Sequence, residues 1–363
     1  MRASHNVFMA KPRILILYTG GTFGMNAGSL TLPRLSPSAL KKRLLERVPE
    51  LKALAECRVE VLMNRDSAHI GAPEWVQIAQ RIRSRWKAVD GVVLLHGTDT
   101  LAYTASALSF LLRPCLKPVV LTGAQRPLAA IRSDARRNLI SAVEIAAARR
   151  TGSKRGGGQT LAQVSVFFNE LLFQGNRVRK RSAVDFSGFD SPKSPTLGRV
   201  GAQIAFDARA FQKVSAEPRL KDRFSHGVVM LQLTPGLPAR AIREHLLPEI
   251  EGLVLVAFPS GTAPTQDPEF LALLAEARSL DIPMVVATEG VGVTGSEYRA
   301  GKEMLSLGCL WSGAMTPECA YVKASWILGQ IEESRSSVKH SSRVGQFKKW
   351  WEKEIAFEGV SQR

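Results

Sequence analysis

Residues 91–100, GVVLLHGTDT, constrain this chain more than any other stretch. The run at 92–95 is branched and apolar, the pattern of a strand buried on both faces of a parallel sheet. It stops at His96-Gly97, and Thr98-Asp99-Thr100 then opens an apolar helical segment, LAYTASALSFLL. A strand that feeds a helix sets these polar residues at the carboxyl edge of the sheet, where open α/β sheets bind ligands. Two readings of Thr98 and Asp99 follow. They cap the helix, as such residues commonly do, or they offer a substrate a hydroxyl and a carboxylate.

An echo lies near the start. Residues 13–18, RILILY, form another buried-strand run that ends in Thr19-Gly20-Gly21-Thr22-Phe23-Gly24. Glycine lets the backbone approach a ligand closely. The run GGTFG lacks the G-x-G-x-x-G spacing of a dinucleotide site. No G-x-S-x-G elbow is present, so serine-hydrolase chemistry of that type is excluded.

With 363 residues, the chain is long enough for two domains with substantial cores. No apolar run approaches a membrane span, and MRASHNVFMAKPR lacks the apolar middle of a signal peptide. The expected compartment is the cytoplasm, with Met9 a candidate start. Cys57, Cys115, Cys309 and Cys319 are scattered without ligand spacing; Cys115 and Cys309 sit among apolar neighbours, and buried free thiols are the expectation. The six histidines form no i, i+4 pair, so no metal is expected. A net charge of +17 raises the question of a nucleic-acid partner. The basic residues are dispersed, however, and no nucleic-acid module is visible, so a solvated basic surface is the expectation and no such partner is assigned.

Taken in order, residues 25–35 have the look of a lid, Ser36-Pro37 starts a helix, and 59–63 is a strand ending at Asn64-Arg65-Asp66-Ser67. Residues 73–89 form an amphipathic helix with Trp75, Ile78, Ile82 and Trp86 on one side. A strand at 118–121 leads to the turn TGAQRP, then to a helix over 130–149. A strand at 164–168 precedes ELLFQGNRVRK, which reads as a hairpin turning at 174–176 and delivering Lys180. Strand–helix alternation restarts at 228–233 and runs to a helix ending near 331. The expected fold class is α/β: a large N-terminal doubly wound sheet domain and a smaller C-terminal parallel α/β domain. The expected boundaries are 1–12 disordered, 13–200 catalytic, 201–225 linker, 226–331 C-terminal, and 332–363 a basic tail with an amphipathic helix.

The pairing of TGGT with HGTDT resembles the bacterial L-asparaginase family. LHGTDTLAYTASALSFLL, TGAQRPLAAIRSD with Asn138 following, and FFNELLFQGNRVRK are most similar to its cytoplasmic, type I branch. The resemblance implies that Thr19 is the mobile-loop nucleophile forming an acyl-enzyme and Thr98 the second catalytic threonine. It makes Asp99 the acidic neighbour of Thr98 and Lys180 the catalytic lysine. Asp66 and Ser67, with Thr98 and Asp99, would hold the substrate, and the backbone carbonyl of Ala124 would lie near the side-chain amide. It further implies L-asparagine as substrate, no cofactor, and a homodimer or homotetramer. The alternatives are a mixed glutaminase-asparaginase and a weakly active or inactive amino-acid-binding homologue.

The chemistry suits those residue types. An amide is a poor electrophile, so its hydrolysis needs an activated hydroxyl and donors for the developing oxyanion. Two departures stand out. Family members carry a lid tyrosine shortly after TGGT, whereas residues 25–33 hold none, with Leu30 or Thr31 near its place. The type I allosteric asparagine site uses an arginine and a cysteine. Val256 stands at the arginine's position, and EGVGVTG has no cysteine, so hyperbolic saturation is expected.

Overall fold

The computed structural model describes residues 10–26, 28, 31–32, 36–150, 159–211, 222–292, 298–335 and 342–359. The expected start at Met9, most of the disordered N-terminus and Leu30 lie outside them. Strands β1 (Arg13–Gly20), β2 (Glu56–Arg65), β3 (Gly91–Leu95), β4 (Val119–Thr122) and β5 (Val164–Phe168) run parallel in the order β2-β1-β3-β4-β5. Antiparallel β6 (Leu171–Gln174), β9 (Gly198–Val200) and β10 (Ile204–Phe206) extend this sheet beyond β5. The short strands β7 (Arg179–Lys180) and β8 (Phe189–Asp190) form a separate antiparallel ribbon.

Alternation along the strands divides the core into two layers. Leu15, Leu17, Val92, Leu94, Val119 and Leu121 pack with Trp75, Ile78 and Ile82 of the helix Ala72–Arg85 and with the helix Leu101–Leu111. Ile14, Ile16, Tyr18, Val93, Leu95 and Val120 pack the other way, against the helices Pro37–Arg47 and Ala135–Ala147. The sheet is therefore doubly wound. Strand order reverses between β1 and β3, and the crevice outside their carboxyl ends is the topological switch point.

The second sheet is smaller and wholly parallel: β11 (Val228–Gln232), β12 (Gly252–Ala257), β13 (Met284–Thr288) and β14 (Leu310–Trp311), in that order. The helix Pro317–Arg335 joins the two units. Its Trp326 stacks on Phe110 with ring centroids 5.8 Å apart, and its Tyr321 meets Tyr103 edge-on at 6.1 Å. One apolar core consequently runs from the first sheet into the second.

Several expected elements are displaced. The helix expected over 130–149 is Ala135–Ala147, because the residues before it are held in turns. There Ala130 N–H donates to Pro127 O, and the Ser133 hydroxyl to Arg126 O. The hairpin turns at Asn169-Glu170, not at 174–176, since Phe168 pairs with Leu171. Asn169 has φ 59°, a left-handed conformation that asparagine tolerates better than most residues. Within the stretch expected as a linker, 204–206 is a strand of the large sheet and Ala210 is fully buried.

Within the expected tail, the helix Arg343–Trp351 buries Phe347 and Trp351 on the body of the protein. Glu358 beyond it is also fully buried and receives Lys323 Nζ at 2.5 Å. Lys323 donates to the carbonyls of Trp351 and Lys353 as well, at 3.0 and 2.9 Å. Removing either partner of such a buried pair costs ~3–5 kcal/mol by stranding the other charge.

Candidate active site

Thr19 ends β1, is fully buried, and donates its hydroxyl hydrogen bond to Leu95 O at 2.9 Å. Gly20 and Gly21 follow with φ of +121° and +78°, values that side-chain-bearing residues seldom adopt. A Cβ on Gly21 would lie 2.3 Å from the Gly97 Cα, and one on Gly97 would lie 2.6 Å from Ser67 Oγ. Glycine at 21 and 97 is thus what lets the ends of β1, β2 and β3 touch. Ser67 is 2 % exposed at this junction, and its carbonyl accepts from the Thr100 hydroxyl at 2.6 Å. Asp66 beside it is exposed and accepts from the Ala68 N–H at 3.0 Å, which fixes the turn after β2.

Lys180 comes to the end of β3 from the β7–β8 ribbon. Its Nζ lies 2.8 Å from Thr98 Oγ1 and 2.7 Å from Asp99 Oδ1. The Lys180 side chain is 18 % exposed and that of Asp99 67 %. The capping reading of Thr98 and Asp99 fails. The N-cap of the following helix is Thr100, and that cap makes no side-chain hydrogen bond. The neighbouring Arg179 reaches other partners, Glu289 at 2.8 Å and Glu318 at 3.7 Å.

Ala124 is 1 % exposed in the turn after β4. A Cβ on Gly123 would lie 2.5 Å from His96 O and 3.3 Å from Thr98 Cγ2, so this turn packs directly on the Thr98 loop. Asp134 organises the turn, accepting from the backbone N–H of Gln125 and Arg126 and from Asn138 Nδ2. Asn138 Nδ2 also donates to Gly123 O at 3.1 Å. Gln125 Nε2 donates to Ser182 O and Asp185 O, tying the same turn to the loop after Lys180.

The reading of the sequence assigned no role to Gln125, Asp134, Asn138 or His96. Ser133-Asp134 just before a helical pattern was an available signal for a buried helix start. His96 is fully buried, and burial pushes its pKa down to about 4, so it is neutral near pH 7. Trp75 Nε1 donates to Thr104 Oγ1 at 3.0 Å, and Thr104 lies 3.0 Å from His96 Nε2. His96 Nδ1 is 2.7 Å from Gly97 O. With the indole able only to donate, the consistent assignment has Thr104 donating to Nε2 and Nδ1–H donating to Gly97 O. A neutral histidine thereby fixes the peptide that carries Thr98.

The site thus holds two buried threonine hydroxyls, an amine within proton-transfer distance of one of them, and a carboxylate on that amine. Such a set can activate a hydroxyl for attack on an acyl group. The family model described as Asparaginase, N-terminal matches residues 13–212, and that of the Glutaminase/Asparaginase C-terminal domain matches residues 227–340. The chain belongs to the asparaginase family.

L-asparaginase 1 of Escherichia coli (strain K12) is 32% identical over 345 residues, covering 92% of this chain and 97% of that protein. The 60 kDa lysophospholipase of Mus musculus is 35% identical over 346 residues, covering 88% of this chain. This chain spans only 59% of that relative's length. The crystal structure of L-asparaginase I from Vibrio cholerae O1 biovar eltor str. N16961 superposes with a TM-score of 0.81 at 31% identity. That match covers 97% of this chain and 100% of the other.

Tyr18 and Tyr103 have partners of their own away from the Thr19 hydroxyl. Tyr18 OH donates to Asn64 Oδ1 at 3.0 Å on the face of β1 opposite Thr19, and burial pushes its pKa up, keeping it protonated. Tyr103 packs on Tyr321. Among the described residues no group of three His, Cys, Asp or Glu side chains could hold a metal, and no helix is long and apolar enough to cross a membrane.

Proposed function

We propose that this chain hydrolyses the side-chain amide of L-asparagine to L-aspartate and ammonia through a threonine acyl-enzyme. The observation that carries the reading is the contact of Lys180 Nζ with both Thr98 Oγ1 and Asp99 Oδ1 at the switch point. In acylation the Thr19 oxygen bonds to the amide carbon, the C–N bond breaks, and the proton lost by the Thr19 hydroxyl ends on the nitrogen, which leaves as ammonia. Water then cleaves the ester, with Thr98 and Lys180 shuttling the proton. Asp66, Ser67 and Asp99 anchor the amino-acid end of the substrate, and the Ala124 carbonyl receives its amide. No cofactor takes part.

Ammonia release from L-asparagine, L-glutamine and a substrate-free control tests this. Release from asparagine well above the other two is expected, and none from either amino acid overturns the reading. Comparable rates would establish the mixed glutaminase-asparaginase instead, since one methylene is worth only ~1–3 kcal/mol of discrimination. We further propose a cytoplasmic homodimer or homotetramer. A monomer in sedimentation equilibrium at micromolar concentration contradicts that assembly.

A further inference from the structure

The segment that leads to Lys180 is held from the far end of the chain. Gln174 Nε2 donates to Phe357 O at 2.7 Å, and Asn176 Nδ2 to Ala356 O at 2.8 Å. Asn176 is fully buried, as is Val178, which lies two residues before Lys180. Arg177 Nη1 donates to Ala314 O at 2.8 Å, and a Cβ on Gly359 would come within 2.3 Å of the Arg177 guanidinium. From the other side, Arg113 Nε donates to Ile355 O at 2.9 Å, and its guanidinium lies 3.9 Å over the Phe357 ring.

The hook formed by residues 355–359 is itself stiff. Glu358 accepts from the N–H of Ile355 and Ala356 and is neutralised by Lys323, while Ala314 N–H donates to Gly359 O. Phe357 has φ 60°, a conformation kept only where surrounding contacts impose it. The C-terminal family model ends at residue 340, before this hook.

We propose that the hook over residues 355–359 is a positioning element for Lys180, with Gln174 and Asn176 as the positioning residues that transmit its placement. The chain between Asn176 and Lys180 is short and pinned at each step: Arg177 on Ala314, Val178 in the core, Arg179 on Glu289, Lys180 on Thr98 and Asp99. A shift at residues 174–176 therefore has little slack to absorb it before it reaches Nζ. Misplacing a catalytic group by about 1 Å costs up to roughly 100-fold in rate. This proposal rests on the reading of Lys180 as the proton-transfer group.

The test is a double-mutant cycle on the full chain with L-asparagine as substrate. Gln174→Met keeps the side-chain length and removes the donor, and Gly359→Ala is a second variant that presses the hook against Arg177. Each should lower kcat roughly 10-fold or more with KM within about 2-fold. In a Lys180→Met background neither should lower kcat further, because the group they position is gone. A simple loss of folded protein would instead multiply with the Lys180→Met effect. Wild-type kcat in both folded variants, or the same fall in both backgrounds, overturns the proposal. Near-normal turnover of Lys180→Met alone removes Lys180 from the mechanism and the positioning role with it.

Discussion

The hydroxyl of Thr19 donates to the carbonyl of Leu95 at 2.9 Å, tying the end of β1 to the end of the neighbouring β3. Leu95 immediately precedes the HGTDT motif, so the first threonine is latched to the strand that carries the second. Attack on an amide requires the Thr19 hydroxyl to leave that carbonyl. Thr19→Ala should cut turnover by roughly 10³-fold or more, whereas Thr19→Ser should retain part of it. Calorimetry should still detect asparagine binding to the alanine variant. Turnover by Thr19→Ala within tenfold of wild type would move the nucleophile to Thr98.

Saturation by asparagine should be hyperbolic. Cooperativity requires an effector that favours one of two states. Val256 is 3 % exposed in the middle strand pairings of the second sheet and offers no charge to a second asparagine. Initial rates over a wide asparagine range check this, and a Hill coefficient clearly above one contradicts it.

Turnover of the natural sequence should be low for want of a lid phenol. Tyr18 is committed to Asn64 and Tyr103 to Tyr321. Thr31→Tyr should raise kcat by a larger factor than it changes KM. If the unmodified protein is already fast and Thr31→Tyr changes nothing, Thr22 or a water performs the proton relay.

His96 gives stability a pH dependence of defined sign. Its folded pKa of about 4 lies below the ordinary 6.5, so the unfolded chain takes up the proton first as pH falls. Its contribution is complete above pH 6.5 and declines as pH falls from 6.5 toward 4. Protonation also leaves Nε2 unable to accept from Thr104. The thermal midpoint should drop between pH 7 and pH 5, and the drop should shrink in His96→Gln. Equal drops in the two proteins would show that other groups set the slope.

The buried-strand runs at 13–18 and 92–95 were legible because each is short, apolar and closed by polar residues, and the structure uses both as central strands. Thr19, Ser67, Thr98, Asp99 and Lys180 were singled out through motif resemblance, not through spacing, and the structure brings Lys180 against Thr98 and Asp99. Nothing in the local sequence tells that Lys180, far along the chain, meets Thr98. The hairpin was misplaced because Asn169-Glu170 and Gln174-Gly175-Asn176 are both plausible turns, and only the pairing of Phe168 with Leu171 chooses between them. Asp134 and Asn138 stood in a recognised motif but without a role, because the backbone groups they bind belong to a turn they do not adjoin in sequence. The burial of Glu358 was hidden for a similar reason, since its partner Lys323 lies far back in the chain, on the helix Pro317–Arg335.

If Lys180 moves the proton of Thr98, steady-state kinetics of Lys180→Met should show it. The variant removes the amine that sits 2.8 Å from Thr98 Oγ1 while keeping an unbranched side chain to fill its place. The kcat for asparagine should fall by roughly 10²–10⁴, the range for losing a general base, while asparagine still binds. Near-normal kcat in a folded Lys180→Met protein would contradict it.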